Sequence, residues 1–214
     1  SDIKNIEQHY SLDERPFLEK VRGFCQLVDE RYSPYLTDFL NPREIQIVEE
    51  LAHYYNLKFF VSSTPESEEY GRVILAPEYY ELDDEDFEIK RLEISYARQF
   101  NKLTHPKVLG ALINQLGLDR QVFGDIILDE EGRVQFSIAS HLASYAIMTI
   151  TKIGNVSVTL KEVSKDDWIS NQENYSQSFV LLSSMRLDNV LATVLNLSRS
   201  NALKLIASGK VKLK

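Results

Sequence analysis

Positively charged side chains are concentrated near the end of the chain, where their arrangement could bind phosphate groups. Ser198 is predicted to be the N-cap of a short helix, because a serine hydroxyl accepts a hydrogen bond from a free backbone N–H of the first turn. Arg199 follows it, and a cation in a first turn is unfavourable beside the helix dipole unless an anion binds there too. The candidate side chains for a phosphate-binding site are Arg186, Ser198, Arg199, Lys204, Lys210, Lys212 and Lys214.

The charge of this segment is opposite to that of the rest of the protein. Residues 183–214 carry six basic side chains and one acidic side chain, a net charge of +5, whereas the whole chain carries −8. Residues 1–182 therefore carry −13, which would repel nucleic acid. A basic segment confined to one small unit is typical of a nucleic-acid-binding module. The alternative for Arg199 taken alone is an ordinary solvated arginine.

Two short helices are predicted to position these side chains. Apolar residues recur at helical spacing within 187–194 and again within 202–206. Gly209 stands where a helix ends with a residue at positive φ, and a strand is predicted to begin at Lys210.

The order of these residues resembles the opening of an S4 RNA-binding domain. The resemblance is carried by Arg186-Leu187-Asp188, by Ser198-Arg199 about ten residues later, and by Leu205-Ile206-x-x-Gly209-x-Val211. S4 domains continue into a short β-rich half, whereas Lys214 falls within the first predicted strand. The expectation is therefore a truncated S4 domain, represented by its helical half at residues 183–214.

Residues 1–80 are predicted to form a small N-terminal α/β domain. Pro16 and the apolar residues after it predict a helix, and strands are predicted at 58–62 and 72–76. Residues 36–44 are interpreted as a capped turn into another helix, with Asn41 and Glu44 at capping-box spacing. The acidic run at 81–86 is interpreted as a solvated linker.

Residues 87–165 are predicted to form a domain with the element order β-α-β-β-α-β. A helix is predicted from His105 to Gly117, a hairpin turn at 130–132, a helix capped by Ser140, and a final strand at 155–161. This order is typical of a ferredoxin-like, RRM-like fold, although the aromatic motif with which RRM domains stack bases is absent. Residues 166–182 are predicted to be a tether, with Trp168 packed on the preceding domain. The fold class is therefore α+β, in three parts.

Several motifs extend the resemblance over nearly the whole chain. Residues 36–44, His105-Pro106-x-x-Leu109-Gly110 and Gly117-Leu118-x-Arg120-x-x-Phe123-Gly124-Asp125-Ile126, with the two C-terminal motifs, resemble the YlmH, or RqcP-like, family of bacterial S4-domain proteins. The resemblance implies binding to rRNA and tRNA on the large ribosomal subunit. It also implies a role in ribosome-associated quality control, with the P-site tRNA held while a nascent-chain tailing factor acts. A monomer is expected.

Two other functions remain open from the residues. S4 modules also occur in pseudouridine synthases, whose catalytic aspartate follows an Arg-Leu motif, so Asp188 is the candidate catalytic residue of an RNA-modifying enzyme. The second alternative is an adaptor whose acidic body binds basic ribosomal proteins.

Other chemistry has little support in the sequence. The four histidines are isolated from one another and from the single cysteine, and no phosphate-binding or dinucleotide-binding glycine motif occurs. No metal site, cofactor or catalytic residue is therefore predicted, and the protein is expected not to be an enzyme. No apolar run is long enough to span a bilayer, so the predicted location is the cytoplasm, without a membrane partner.

Overall fold

The computed structural model describes residues 2–63 and 68–171, which fall into two units. The first comprises residues 2–63 and 70–87, and the second comprises residues 68–69 and 88–171. Both combine helices with antiparallel β-sheets, so the described part of the chain has a mixed α/β architecture.

The first unit packs helices against a three-stranded sheet. Its elements are α1 (Asp2–Glu7), α2 (Arg15–Arg31), β1 (Tyr35–Leu40), α3 (Pro42–Tyr54), β2 (Lys58–Val61) and β3 (Gly71–Ala76). The strand order is β1-β3-β2, and both pairings are antiparallel. Leu18, Val21 and Cys25 of α2 share one buried core with residues of α3 and β3, which confirms the amphipathic helix predicted after Pro16.

The prediction for residues 36–40 is wrong, because they form most of strand β1 rather than a turn. Leu36 pairs with Ile74, and Leu40 pairs with Gly71, across a local irregularity in the register. Thr37 lies at that irregularity, where its hydroxyl accepts a hydrogen bond from the N–H of Val73 at 2.9 Å. The strand is stabilised by a partner more than 30 residues away, which local spacing does not reveal.

The capping box at the start of α3 is confirmed. The Asn41 side chain accepts a hydrogen bond from the N–H of Glu44 at 2.8 Å, and the Glu44 carboxylate accepts one from the N–H of Asn41 at 2.9 Å. Pro42 occupies the first turn, where a missing N–H costs no intrahelical hydrogen bond.

Asn41→Ala is expected to lower the free energy of unfolding by about 1 kcal/mol, because it removes the side-chain acceptor at the N-terminus of α3. Urea denaturation followed by circular dichroism would measure the change. Asn41→Ser is the matched control, because serine also caps helices well and should retain most of the stability. Equal losses for Ala and Ser would contradict a capping role.

The acidic run expected to be a linker contains a short ordered turn. Asp84–Phe87 form a turn of 3-10 helix, and Phe87 is buried. The Asp86 carboxylate accepts hydrogen bonds from the Tyr80 hydroxyl and from the N–H of Asp83. These contacts tie the run to the end of the first unit.

The second unit packs two helices against a four-stranded sheet. Its elements are β4 (Ile89–Ser95), α4 (His105–Leu116), β5 (Phe123–Leu128), β6 (Val134–Ala139), α5 (Ala143–Thr149), β7 (Lys152–Ile153), β8 (Val156–Ser157) and β9 (Thr159–Glu162). The strand order is β5-β6-β4-β9, with every neighbour antiparallel. The core contains Leu92, Phe123 and Phe136 of the sheet with Val108 and Leu112 of α4.

Two of the predicted element ends in this unit are confirmed by backbone geometry. Gly117 ends α4 at φ +64°, and its N–H donates to the carbonyl of Ile113. Gly132 adopts φ +85° in the turn between β5 and β6. Both conformations favour glycine because it lacks a Cβ.

Two other predictions in this unit are wrong. Ser140 does not cap a helix: it begins a 3-10 turn before α5, and its N–H donates to the carbonyl of Glu88 at 2.8 Å. The single strand predicted at 155–161 is divided between β8 and β9. Gly154 turns the chain at φ +60°, so that Val156 pairs with Ile153 in a small hairpin before β9 begins.

Candidate nucleic-acid interface

The predicted RNA-contacting side chains all lie outside the described residues. They are Arg186, Ser198, Arg199, Lys204, Lys210, Lys212 and Lys214, together with the whole S4-like segment. The geometry available for nucleic-acid binding is therefore that of the second unit, taken by itself.

The face of the second sheet opposite to its helices is polar but buried. Alternation along the strands places Leu92 and Phe136 in the core, and it places Arg91, Glu93, Gln135 and Ser137 on the opposite face. All four polar residues are buried, and Arg91 is only 3% exposed. Groups of this kind are buried at a cost unless they have partners.

A hydrogen-bonded network provides those partners. Arg91 donates to Glu68 at 2.6 Å and to Gln135 at 3.3 Å. Gln135 donates to Glu93 at 2.9 Å, and Arg133 makes two hydrogen bonds to the same carboxylate, at 2.6 and 2.9 Å. The network joins β4 to β6 and to the segment that contains Glu68.

The pKa values of the charged groups in the network are shifted for two different reasons. The hydrogen bonds from Arg133 lower the pKa of Glu93, because they stabilise the carboxylate. Burial raises the pKa of Glu68 although Arg91 acts in the other direction, and burial also lowers the pKa of Arg91. For both members of the Arg91–Glu68 pair, loss of hydration on burial is the main cause of the shift, and the charge of the partner acts against it.

The chain that follows β9 covers this network. The Trp168 ring lies over the Arg91 guanidinium, 4.2 Å from ring centroid to Cζ. Gln135 donates to the carbonyl of Asp167 at 2.9 Å and accepts from the N–H of Ile169 at 3.1 Å. The prediction that Trp168 packs on the preceding domain is confirmed. Because the protein's own chain occupies this face, bases cannot stack there as they do on the sheet of an RRM.

The motif residues of the second unit make structural contacts within that unit. Arg120 donates to the carbonyl of Phe123 at 2.7 Å, and the Asp125 carboxylate accepts from the N–H of Glu69 at 2.7 Å. Partial burial of the His105 ring, and then the charge of Arg120, lower the pKa of His105. These contacts hold the start of β5 and place His105 and Arg120 near each other.

Long segments of the second unit contain no acidic side chain, a signal that the sequence analysis missed. Neither 94–118 nor 132–161 contains Asp or Glu, although the whole chain has 32 such residues. The basic residues of these segments are Arg98, Lys102, Lys107, Arg133, Lys152 and Lys161. Simple inspection of the spacing between acids would have identified them.

The two acid-free segments contact each other. Gln115 of α4 donates to the carbonyl of Lys152 at 2.7 Å, and the Tyr145 hydroxyl of α5 donates to the carbonyl of Leu116 at 3.1 Å. Tyr145, Met148 and Lys152 are exposed. A surface that combines cations with exposed rings, and lacks carboxylates in its own segments, is suited to nucleic acid.

The two units also differ in net charge. Residues 2–63 and 70–87 carry eight basic and seventeen acidic side chains, whereas residues 68–69 and 88–171 carry ten basic and twelve acidic side chains. The second unit is therefore much less repulsive to phosphate than the first.

The described residues offer little that would support other chemistry. Within 2–63 and 68–171, no group of three or more His, Cys, Asp or Glu residues could hold a metal ion. Cys25 is buried, and burial raises its pKa to about 12, so it remains a thiol at neutral pH. No helix in this part of the chain has the length and apolar character needed to cross a bilayer.

Comparison with known proteins is consistent with a nucleic-acid interface in the second unit. Residues 83–167 match the family described as "Putative RNA-binding domain in YlmH". The chain is 32% identical over 210 residues to "Ribosome-associated protein quality control protein P2" of Bacillus subtilis (strain 168), covering 98% of this chain and 81% of that protein. It also resembles the solved structure of "Cell division protein ylmH from Streptococcus pneumoniae", with 40% identity, a TM-score of 0.67, and coverage of 76% of this chain and 98% of that one. This chain belongs to the YlmH family.

Proposed function

We propose that the protein is a non-catalytic RNA-binding protein that associates with the ribosome during protein quality control. The observation that carries this proposal is 32% identity, over 98% of the chain, with a relative named for ribosome-associated quality control. The match of residues 83–167 to an RNA-binding family supports it, and so do the acid-free segments inside that match.

The more specific proposal is binding to the large ribosomal subunit and to its P-site tRNA, next to a nascent-chain tailing factor. The protein would act as a monomer in the cytoplasm, where its ribosomal partner is found. The division into domains 1–80, 87–165 and 183–214, with a linker at 81–86 and a tether at 166–182, is part of the proposal.

The fold of the middle domain supports an RRM-like assignment. Counted within the domain, the main sheet has the order 4-1-3-2, with a helix after its first strand and another after its third. This order agrees with that of a ferredoxin-like domain and supports the proposed assignment. Because the sheet face is covered by Trp168 and its neighbours, RNA would bind to the acid-free segments instead.

The C-terminal segment is proposed to supply the main phosphate contacts as the helical half of an S4 domain. Arg186, Arg199, Lys204, Lys210, Lys212 and Lys214 would bind phosphates, and Ser198 would cap the helix that presents Arg199. Such contacts recognise the shape of folded RNA rather than its sequence.

The first unit favours a second, compatible role in binding protein. Its excess of acidic side chains disfavours RNA and would favour basic ribosomal proteins. We propose that the acidic unit contacts protein while the rest of the chain contacts RNA.

Sedimentation with purified ribosomal subunits tests the proposed function. The full chain is expected to sediment with large subunits, to remain free in the presence of small subunits, and to lose binding as the salt concentration rises. Failure to bind large subunits in dilute salt would reject the proposal.

Mapping pseudouridine in the recovered RNA tests the enzyme alternative, because new sites that vanish with Asp188→Asn would show catalysis.

A further inference from the structure

The loop between β4 and α4, residues 96–104, presents one aromatic side chain to solvent. Phe100 is 80% exposed, whereas Leu103 in the same loop is buried in the core at 2%. A single exposed apolar side chain is common at protein surfaces, so its meaning depends on the residues around it.

Hydrogen bonds hold the loop in a tight turn. The carbonyl of Ala97 accepts from the N–H of Phe100 at 3.2 Å and from the N–H of Asn101 at 3.1 Å. It also accepts from the side-chain amide of Asn101 at 3.1 Å. Because Leu103 anchors the following residues in the core, Phe100 stands on a segment that is already ordered. A partner would therefore bind with little further loss of loop entropy.

A second set of contacts anchors the loop to the turn between β5 and β6. The Tyr96 hydroxyl donates to the carbonyl of Gly132 at 2.5 Å, and Arg98 donates to the carbonyl of Glu131 at 3.1 Å. A Cβ at residue 132 would lie 3.2 Å from the Tyr96 hydroxyl, so this close approach is easiest for glycine. The loop is thus supported at both ends.

The charge around Phe100 indicates the class of partner. Arg98 and Lys102 flank it in sequence, Lys107 follows, and all three are exposed. The loop lies within the acid-free segment 94–118. The neighbouring turn contains Asp129, Glu130 and Glu131, and there Arg98 donates to the backbone carbonyl of Glu131 rather than to a carboxylate. Cations on both sides of an exposed ring favour a partner that combines phosphates with flat bases.

We propose that Phe100 is a base-stacking residue, on which an unpaired RNA nucleotide lies while Arg98 and Lys102 contact the flanking phosphates. The inference rests on the proposed RNA-binding function and assigns one contact within it. The nucleotide must be unpaired, because a base within a duplex is already covered on both faces by its neighbours. Stacking of this kind tolerates any base sequence, since every base has a π-face.

The test compares variants of the full chain binding to two fluorescein-labelled RNAs by anisotropy. One RNA is a hairpin with an unpaired loop, and the other is a blunt duplex of similar length. Phe100→Ala is expected to weaken hairpin binding by roughly tenfold, whereas Phe100→Tyr should bind as the parent does. Duplex binding should not change with either variant, because no base is free to stack.

Leu12→Ala is the matched control. Leu12 is also apolar and largely exposed, at 75%, but it lies in the first unit, outside the loop and outside both acid-free segments. This variant is expected to bind both RNAs as the parent does. Equal losses for Phe100→Ala and Leu12→Ala would overturn the inference, and so would a Phe100→Tyr variant as weak as Phe100→Ala.

A spectroscopic readout reports the contact directly. In Phe100→Trp, hairpin RNA is expected to quench the emission of the new indole, beyond any change seen for the native Trp168 in the parent. Absence of this quenching would overturn the inference.

The two proposals fail in different ways. If the parent binds large subunits while Phe100→Ala binds the hairpin as well as the parent does, RNA binding stands and the stacking contact is rejected. If Phe100→Ala loses subunit binding but keeps hairpin binding, the partner of Phe100 is a protein, which also rejects the inference. If the parent binds neither subunits nor RNA, both proposals are rejected.

Discussion

Arg91→Met is expected to lower the free energy of unfolding by about 3 kcal/mol at pH 7. The change leaves the Glu68 carboxylate in a buried site without its cation, and breaking a buried ion pair from one side typically costs about 3–5 kcal/mol. Glu68 can limit the loss by taking up a proton. Protonating a carboxyl group of ordinary pKa 4.5 at pH 7 costs about 3 kcal/mol. This cost is the upper bound on the stability that is lost through the unpaired Glu68 carboxylate.

The loss of stability caused by Arg91→Met should increase as the pH rises from acid to neutral. Without Arg91, the pKa of Glu68 in the folded protein rises further above its unfolded value, so the folded state binds a proton more readily than the unfolded state. The contribution of Glu68 to stability is then retained below pH 4.5 and lost as the pH rises. Urea denaturation at several pH values should therefore show parent and Arg91→Met converging in acid and diverging towards neutrality.

Two further variants make this prediction specific. Lys90→Met is the matched control, because Lys90 precedes Arg91 on β4 and forms an exposed pair with Glu162, at 3.0 Å, which should contribute less than about 1 kcal/mol. Arg91→Met combined with Glu68→Met should return to within about 1 kcal/mol of the parent, because an apolar pair avoids the cost of burying charge. The buried Nε of Arg91 has no hydrogen-bond partner among the described residues, so its removal also favours recovery. A double variant no better than Arg91→Met would contradict this account.

Replacing Arg186, Arg199, Lys204 and Lys210 together by glutamine is expected to weaken RNA binding strongly. If each side chain binds one phosphate, the slope of log affinity against log salt should decrease by about three units, because fewer counterions are released. Titration of large ribosomal subunits at several salt concentrations would measure the slope.

The matched control removes four positive charges from the first unit instead. Lys4, Arg15, Lys20 and Arg31 are exposed, and their replacement by glutamine changes the net charge by the same amount. This variant should keep the slope of the parent, because the acidic unit is not expected to contact phosphate. Equal slopes for both variants would show that overall charge, rather than the C-terminal segment, determines binding.

Features that depend on neighbouring residues were predictable. The capping box at Asn41 and Glu44, the end of α4 at Gly117 and the turn at Gly132 follow from rules that span only a few positions. The family was also identified correctly, because its motifs are short and ordered along the chain.

Features that depend on distant partners were not predictable in this way. Residues 36–40 are a strand because β3 pairs with them, and the predicted final strand is divided because Gly154 allows an intervening hairpin. In neither case does hydrophobic spacing alone distinguish the observed element from its alternative.

By itself, the sequence determined the family, the mixed α/β class and the separation of acidic from basic segments, because composition and motif order require no knowledge of contacts. Only the tertiary structure showed that Arg91, Glu68, Gln135 and Trp168 meet on one sheet face, and that the chain after β9 covers it. Only the structure showed that Phe100 points outward while Leu103 points inward. Both depend on segments that are far apart in sequence and are brought together by burial of a common core, which local spacing does not encode.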